Sequence, residues 1–455
     1  MSIKSALLGA AAGVAAIGAA QAADLPMTKG EAVEYVKVCS AFGPGFFYIP
    51  GSDTCLKIGG EIRADYRVFG GTGFNRNDDR SAFNTQARIW FDARTETDWG
   101  LLRSYFQINA DSHKISNQGR GGSYNSNTFS IDKAFIQFGG LTAGYAHSFF
   151  GFYDNEYGDT IWAPYYAQAN TVNLLAYTAQ FGGGFSATLS VEDGRDHRYN
   201  NIGLNYVPAL NAILGPNTLS LSNPFGGQQV PDVVAQLRFD QSWGSIAVQG
   251  AAHQTRSAES ITASVNGTPL GTIDLAHKQK WGYAVGGTLL LKIPAIDGGH
   301  FIVEGQYADG ALDYLGANND SLGLGVPGDV FATRVQNGVI TGFKNSKGWS
   351  VVAELGGNIT PVLNANLVAS YIDTKADGSL VNVVFPGANV KPSFKAYTIA
   401  GNLTYTITKG LTVGAEVAYT HNKYGDVLDV AQNTLVIRDK KENIWQAGVR
   451  LKRTF

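Results

Sequence analysis

The stretch Leu56-Lys57-Ile58-Gly59-Gly60-Glu61-Ile62-Arg63-Ala64-Asp65-Tyr66-Arg67-Val68 decides the fold. Its even positions read Leu, Ile, Gly, Ile, Ala, Tyr, Val, and its odd positions read Lys, Gly, Glu, Arg, Asp, Arg. A helix would scatter those charges around its axis, whereas a strand places them all on one side. Working outward, Phe83–Asp98 opposes Phe83, Thr85, Ala87, Ile89, Phe91 and Ala93 to Asn84, Gln86, Arg88, Asp92, Arg94 and Glu96, with Trp90 breaking the polar side. After the tight Asp98-Trp99-Gly100 turn, Leu102, Phe106, Ile108 and Ala110 alternate with Arg103, Tyr105, Gln107 and Asn109.

The same period of two returns in Phe185–Glu192, Val233–Asp240, Ile246–His253, Trp281–Lys292, Phe301–Tyr307, Trp349–Leu355, Ala365–Tyr371, Tyr397–Tyr405 and Leu411–Tyr419. It closes the chain in Ile444–Phe455, where Arg453 is the one charge on an apolar face. Around Ile131–Phe149 and Thr171–Phe181 alternation is weak, and strands are expected there from the turns Gly139-Gly140 and Gly182-Gly183-Gly184. The total is about 16 strands, an even number suited to a bacterial outer-membrane barrel.

Connections alternate in length. Short links fall near Asp98–Gly100, Gly139–Gly140, Phe181–Gly184, Ser242–Gly244, Ile293–Gly299, Gly356–Pro361 and Thr408–Gly410. Long ones occupy Gly70–Ala82, Ser112–Thr128, Ser148–Asn170, Asp193–Pro231, Gln254–Gln279, Ala308–Gly348, Asp373–Ser393 and His421–Glu442. Short periplasmic turns and long outer loops produce that rhythm. Strands of about 10 to 16 residues also exceed the usual globular length and meet the 9–11 needed to cross a bilayer on a tilt. Tyr66, Phe106, Tyr307, Trp349, Tyr371, Tyr405, Tyr419 and Trp445 sit near strand ends on apolar faces, as interfacial girdles do. The expected fold is therefore all-β: a transmembrane antiparallel barrel, closed because every peptide group in hydrocarbon must be paired.

Residues 1–22 read as a cleaved signal peptide, with Lys4, an alanine-rich apolar run and the small-x-small site Ala20-Gln21-Ala22. Residues 23–55 are expected to form a periplasmic N-terminal segment and 56–455 the barrel. Cys39 and Cys55, in an exported chain, are expected to form a disulfide, which the loop-closure model values at about 3 kcal/mol. With 56 glycines, 11% aromatics and a net charge of −2, the chain lacks the basic runs and stacking motifs of a nucleic-acid binder.

A barrel this wide has a watery, polar interior. Lys57, Arg63, Arg67, Arg88, Arg94 and Arg103 lie on its polar side, near Glu61, Asp65, Asp92 and Glu96. The third long connection, Ser148–Asn170, is rich in aromatics and carries Asp154, Glu156 and Asp159 without Lys or Arg. Folding it into the bore would bury its rings and set its acids across from the arginines, a transverse field at a constriction.

Val33–Tyr66 (VEYVKVCSAFGPGFFYIPGSDTCLKIGGEIRADY), Asp132–Phe150 (DKAFIQFGGLTAGYAHSFF) and the ending on Phe455 resemble the alphaproteobacterial general porins. The resemblance runs from about Val33 to the end and is looser in Asp193–Pro231 and Ala308–Gly348. It implies 16-stranded barrels assembled as homotrimers in the Gram-negative outer membrane, among lipid and lipopolysaccharide, with the third loop inside each channel. It also implies passive diffusion of small hydrophilic solutes and ions, a constriction role for Asp154, Glu156 and Asp159, and reading of the Phe455 ending by the barrel-assembly machinery.

Three other readings use the same barrel. A substrate-specific channel for a sugar or anion would show aromatics along the bore, where only Trp90 and Tyr105 are placed. A structural or adhesive barrel would not conduct. An enzyme would need a nucleophile and base near the rim, yet the seven histidines are scattered, mostly in connections, and match no G-x-S-x-G or HExxH arrangement. No cofactor or metal is expected; the Asn75–Asp79 and Asn318–Asp320 clusters lack EF-hand spacing.

Overall fold

The structure is a computed structural model that describes residues 37–72, 74, 76, 78–112, 127–199, 219–221, 226–317, 327–337, 339–378, 389–429, 434–437 and 439–455. Residues 1–22, which the sequence reads as a signal peptide, most of the second and fourth long connections, and Asn318–Asp320 lie outside these residues. The chain divides into two units, Met1–Cys55 and Leu56–Phe455. In the first, Cys39 and Cys55 form a disulfide with Cα atoms 6.0 Å apart. Both half-cystines are buried around Phe46, and the Cys39 N–H donates to the Phe46 carbonyl at 2.9 Å.

Sixteen antiparallel strands close the second unit into a barrel. They begin with β1 (Cys55–Gly71), β2 (Ser81–Thr97), β3 (Gly100–Ser112), β4 (Thr128–Phe138) and β5 (Leu141–His147). Next come β6 (Thr171–Gly182), β7 (Phe185–Glu192), β8 (Asp232–Gln241), β9 (Gly244–Arg256) and β10 (Gln279–Lys292). The circuit ends with β11 (Asp297–Asp309), β12 (Lys347–Thr360), β13 (Leu363–Lys375), β14 (Ser393–Thr408), β15 (Leu411–Tyr424) and β16 (Lys440–Thr454). Closure is made by β1 against β16, from Glu61 opposite Thr454 to Gly71 opposite Ile444. Phe455 extends that seam by exchanging two backbone hydrogen bonds with Gly60, at 2.9 and 3.1 Å.

The alternation has the expected result. Apolar side chains such as Ile62, Leu367, Leu403 and Val417 are exposed on the outer face, and their polar neighbours turn inward. Register places Tyr307 opposite Trp349, Tyr371 opposite Tyr397 and Tyr419 opposite Trp445, which joins single aromatics into a belt across β11–β16. Arg453, the exception on the apolar face, donates to the Lys409 carbonyl at 2.9 Å, so its charge sits at the β14–β15 turn.

Several connections differ from expectation. The β12–β13 link is only Pro361-Val362, because strand pairing continues through Gly356 and Gly357. The long connections carry strands of their own: Ser260–Val265 pairs with Thr268–Asp274, and Val330–Gln336 with Val339–Asn345. The first hairpin turns at Asn266 and Gly267, with φ of 49° and 79°, the left-handed pair that an Asn-Gly turn supplies. Leu219–Leu221 of the fourth connection adds an edge strand to that hairpin.

The sixth long connection also enters the barrel. Leu312–Leu315 forms a 3-10 turn whose side chains are all buried. Tyr314 and Leu315 pack with Phe150 and with the inward Ile372, Phe394 and Tyr424 of β13–β15. A buried polar network fastens this segment. His197 Nε2 lies 2.8 Å from Glu192 and its Nδ1 lies 3.1 Å from Asp313, while its ring stacks on Tyr314. The Tyr314 hydroxyl donates to Asp232, which also meets His253, and Asp329 accepts the Tyr199 and Leu312 N–H groups. His253 Nε2 stands 3.8 Å from Asp329.

Two of these groups set a pH response. Burial lowers the pKa of His197, but hydrogen bonds to Asp313 and Glu192 outweigh it and raise the value from 6.5 to about 10. Burial raises Asp329 from 3.8 to about 7. A raised histidine stabilises the fold fully below 6.5 and loses that contribution as pH rises through 10. A raised carboxyl favours the fold below 3.8 and loses that contribution as pH rises through 7. Both shifts have the same sign. Amide exchange at Leu312–Leu315, corrected for intrinsic rate, should therefore accelerate from about pH 4 to about pH 10, and less so above about pH 6.5 in His197→Gln; a flat profile would refute the anchoring role.

Candidate functional site: the inward loop and the charged wall

The wall of a barrel this size leaves a space its own side chains do not fill. Ser148–Asn170 crosses that space, and three inward glutamates hold its backbone. Glu304 on β11 accepts the N–H groups of Phe152 and Tyr153, each at 3.2 Å. These open the one-turn helix α1 (Tyr153–Glu156), so a wall carboxylate caps it from outside the loop. Gly151, at φ 84°, permits the approach; a Cβ there would stand 2.6 Å from the Glu304 oxygens. Glu354 on β12 accepts the Tyr153 hydroxyl at 2.7 Å and the Asp159 N–H at 3.1 Å. Glu416 on β15 accepts three consecutive N–H groups, from Ile161, Trp162 and Ala163, at 2.6, 2.8 and 2.8 Å. Gln236 donates to the Phe149 and Gly151 carbonyls, Asn402 donates to that of Asp159, and the Trp162 indole reaches Asp65 at 2.9 Å.

The six sequence-selected cations lie on the inward side of β1–β3. Arg63 pairs with Glu61, and Arg88 approaches the same carboxylate at 3.6 Å while donating to Asn109 at 2.8 Å. Arg94 and Arg103 both make two-pronged bonds to Asp92, at 2.7 to 3.0 Å. Arg67 is buried beneath the loop, bonded to Gln446 and under the Trp162 ring. Lys57 is half-buried near the start of β1. Asp65 pairs with Arg450 of β16 rather than with its own strand, because β16 is its sheet neighbour.

The loop acids do not face those arginines as a set, contrary to the sequence expectation. Asp154 accepts from the Tyr165 hydroxyl and lies 3.4 Å from His147, and burial raises its pKa. Glu156 is gripped by both terminal nitrogens of Arg238 on β8. Asp159 meets His300 and Glu354; burial first, then the Glu354 charge, raises its pKa to about 6. Each acid has found a nearer polar partner than the β1–β3 wall.

Asp159, His300 and Glu354 bring three ligand atoms within 4.8 Å of one another. Both Glu354 oxygens already accept hydrogen bonds, one of them with His300 at 2.9 Å, so the cluster reads as a loop anchor.

Sequence reading missed several residues. Glu304, Glu354 and Glu416 each sit singly at a polar-face position, in IVEG, VAEL and GAEV. A lone acid repeated among apolar strand residues was the available signal. Arg238, Arg450 and Lys452 extend the inward cations beyond the first strands. Phe135 joins Tyr105 on the inner surface, and Phe152 and Trp162 arrive with the loop, so inward aromatics exceed the two expected. His300 and His421 lie on strands, with His147 and His253, so connections hold fewer of the histidines than expected.

Glu416→Ala would remove the acceptor of three backbone donors, each bond to a charged group being worth about 1.5–3 kcal/mol. Amide exchange across Ile161–Ala163 should accelerate, with Glu416→Gln in between; exchange identical to wild type would show that the loop needs no anchor there.

The family model described as the porin subfamily matches residues 24–448. Porin Omp2b of Brucella suis is 36% identical over 253 residues, covering 54% of this chain and 65% of the relative. Porin Omp2b of Brucella abortus (strain 2308) is 35% identical over 254 residues with the same coverage, so the matched region spans just under two thirds of these relatives. Among solved structures, the outer membrane channel DcaP of Acinetobacter baumannii superposes with a TM-score of 0.59 at 14% identity, covering 90% of this chain and 99% of that one, a likeness of fold. The chain belongs to the porin subfamily, and it is an integral barrel of the Gram-negative outer membrane.

Proposed function

We propose that the protein is a passive, water-filled channel for small hydrophilic solutes and ions, narrowed by Ser148–Asn170. The observation that carries this reading is the inward loop itself, held across the barrel by Glu304, Glu354 and Glu416. A loop bonded so fully to the wall narrows the passage permanently. Arg63, Arg88, Arg94 and Arg103, joined by Arg450 and Lys452, give the passage one basic side, with Arg67 supporting the loop from beneath. Glu156 and Asp159 give the loop its water-facing acids, and Asp154 serves its internal packing.

In planar bilayers, purified protein should conduct in proportion to salt. Absence of conductance would overturn the channel reading in favour of a structural barrel, and catalysis has no place in the proposal. Replacing Glu156 and Asp159 by Ala should move the reversal potential toward anion preference, while Asp154→Ala should act mainly through stability; an unmoved potential would remove the loop acids from the ion path.

The assembly is proposed to be a homotrimer. Strands β5 and β7 have 7 and 8 residues, fewer than the 9–11 that cross a bilayer on a tilt. Around them Leu141, Leu175, Tyr177 and Leu189 stand exposed on the outer face. A second copy would cover what lipid does not match in height. Outer-membrane lipid, lipopolysaccharide and the barrel-assembly machinery, reading the Phe455 ending, complete the proposed partners. Cross-linking in detergent should give a three-copy species that Leu175→Arg with Leu189→Arg reduces to monomer; a monomeric wild type would overturn the assembly.

A further inference from the structure

Between β3–β5 and the first half of the inward loop lies a recess of about 410 Å³, within the size range of small-molecule sites. We propose that it is a binding station for small hydroxylated carboxylates, such as sugar acids, on their way through the channel. The inference rests on the channel reading and names the solute class that reading would favour.

The charges lining the recess are unequal. Arg103, Lys133 and Arg238 contribute cations and Glu156 the one lining carboxylate, with His147 alongside. Arg238 is shared between Glu156 and Asp240, which leaves Arg103 and Lys133 as the cations facing an entering solute. The acids behind them are committed elsewhere. Asp92 gives both oxygens to Arg94 and Arg103 and is nearly covered, with 8% of its side chain accessible against 22% for Arg103. Asp132 gives one oxygen to Gln107 at 2.6 Å and the other to Asn109 at 2.9 Å. Asp154 is turned to Tyr165. At the Asp92 pairs the guanidinium side, not the carboxylate, meets the water.

Arg103 is also fixed in position. Asp92 holds one edge of its guanidinium, Gln137 accepts from Nη1 at 3.0 Å, and the rings of Tyr105 and Phe135 lie 5.1 and 5.5 Å from its centre. A cation held this way binds a carboxylate without first losing side-chain freedom. The Lys133 ammonium stands 3.5 Å from Asn155 on the loop, beside the same space. Thr142, Asn155 and Gln137 add neutral donors and acceptors that suit hydroxyl groups rather than a bare halide.

The experiment compares gluconate with glucose, which share a carbon skeleton and differ in charge, as blockers of single channels in potassium chloride. Gluconate should interrupt the wild-type current at concentrations about tenfold below those at which glucose does. Lys133→Gln and Arg103→Gln should each weaken the gluconate block about tenfold, and Lys133→Gln should leave the glucose response unchanged. Lys133→Gln carries the test if loss of Arg103 disturbs the Asp92 cluster. A conducting wild type that gluconate does not block, or a block undiminished in Lys133→Gln, would overturn the station and leave the channel standing. A wild type that does not conduct would overturn the channel reading itself.

Discussion

A peptide group in hydrocarbon has no water to bond, so every N–H and C=O in the wall must find a neighbouring strand. That constraint rules out a free sheet edge and makes the β1–β16 seam the feature on which the rest depends. Eleven residue pairs from Glu61–Thr454 to Gly71–Ile444 form it, and Phe455 continues the ladder against Gly60. With the edge gone, the pleat sorts side chains by solvent, and weakly apolar residues suffice outside because no second sheet packs against them.

Closure creates an opposite problem inside. Sixteen strands enclose more space than inward side chains can fill. Loops supply the missing matter, but their peptide groups then require partners too. The inward carboxylates answer this: Glu304, Glu354 and Glu416 accept six N–H groups of one loop among them. Acids on the loop-bearing side thus serve backbone donors, while those on the β1–β3 side serve guanidinium groups. The residual imbalance seen by a solute is set by which member of each pair is left accessible.

Much of the barrel was legible because strand alternation and connection length are local properties. Leu56–Val68 shows its two faces without reference to any partner. The hairpins in the long connections carry only a local turn signal, such as Asn266-Gly267, inside stretches whose length and polarity mark them as connections. The site was less visible. Nothing near Glu156 in the chain points to Arg238, 82 positions away, or near Asp159 to His300 and Glu354. Pairing within a bore depends on how a loop crosses it, and sequence spacing carries no information on that crossing. The 3-10 turn at Leu312–Leu315 was hidden for the same reason: its apolar partners, Phe394 and Tyr424, lie on the inner face, where alternation calls for polar residues.

A hollow cylinder one sheet thick is mechanically weak against flattening, since bending a sheet is easier than stretching it. The inward loop acts as a crossbar. It is tied to β8 through Gln236, to β11 and β12 through Glu304 and Glu354, and to the far side through Glu416 and Asp65. Out-of-round breathing of the wall would have to stretch several charge-assisted bonds at once. The aperture should therefore keep a nearly constant diameter under thermal and lateral pressure, and a rigid aperture sorts passing molecules by size with a steep threshold rather than a gradual one.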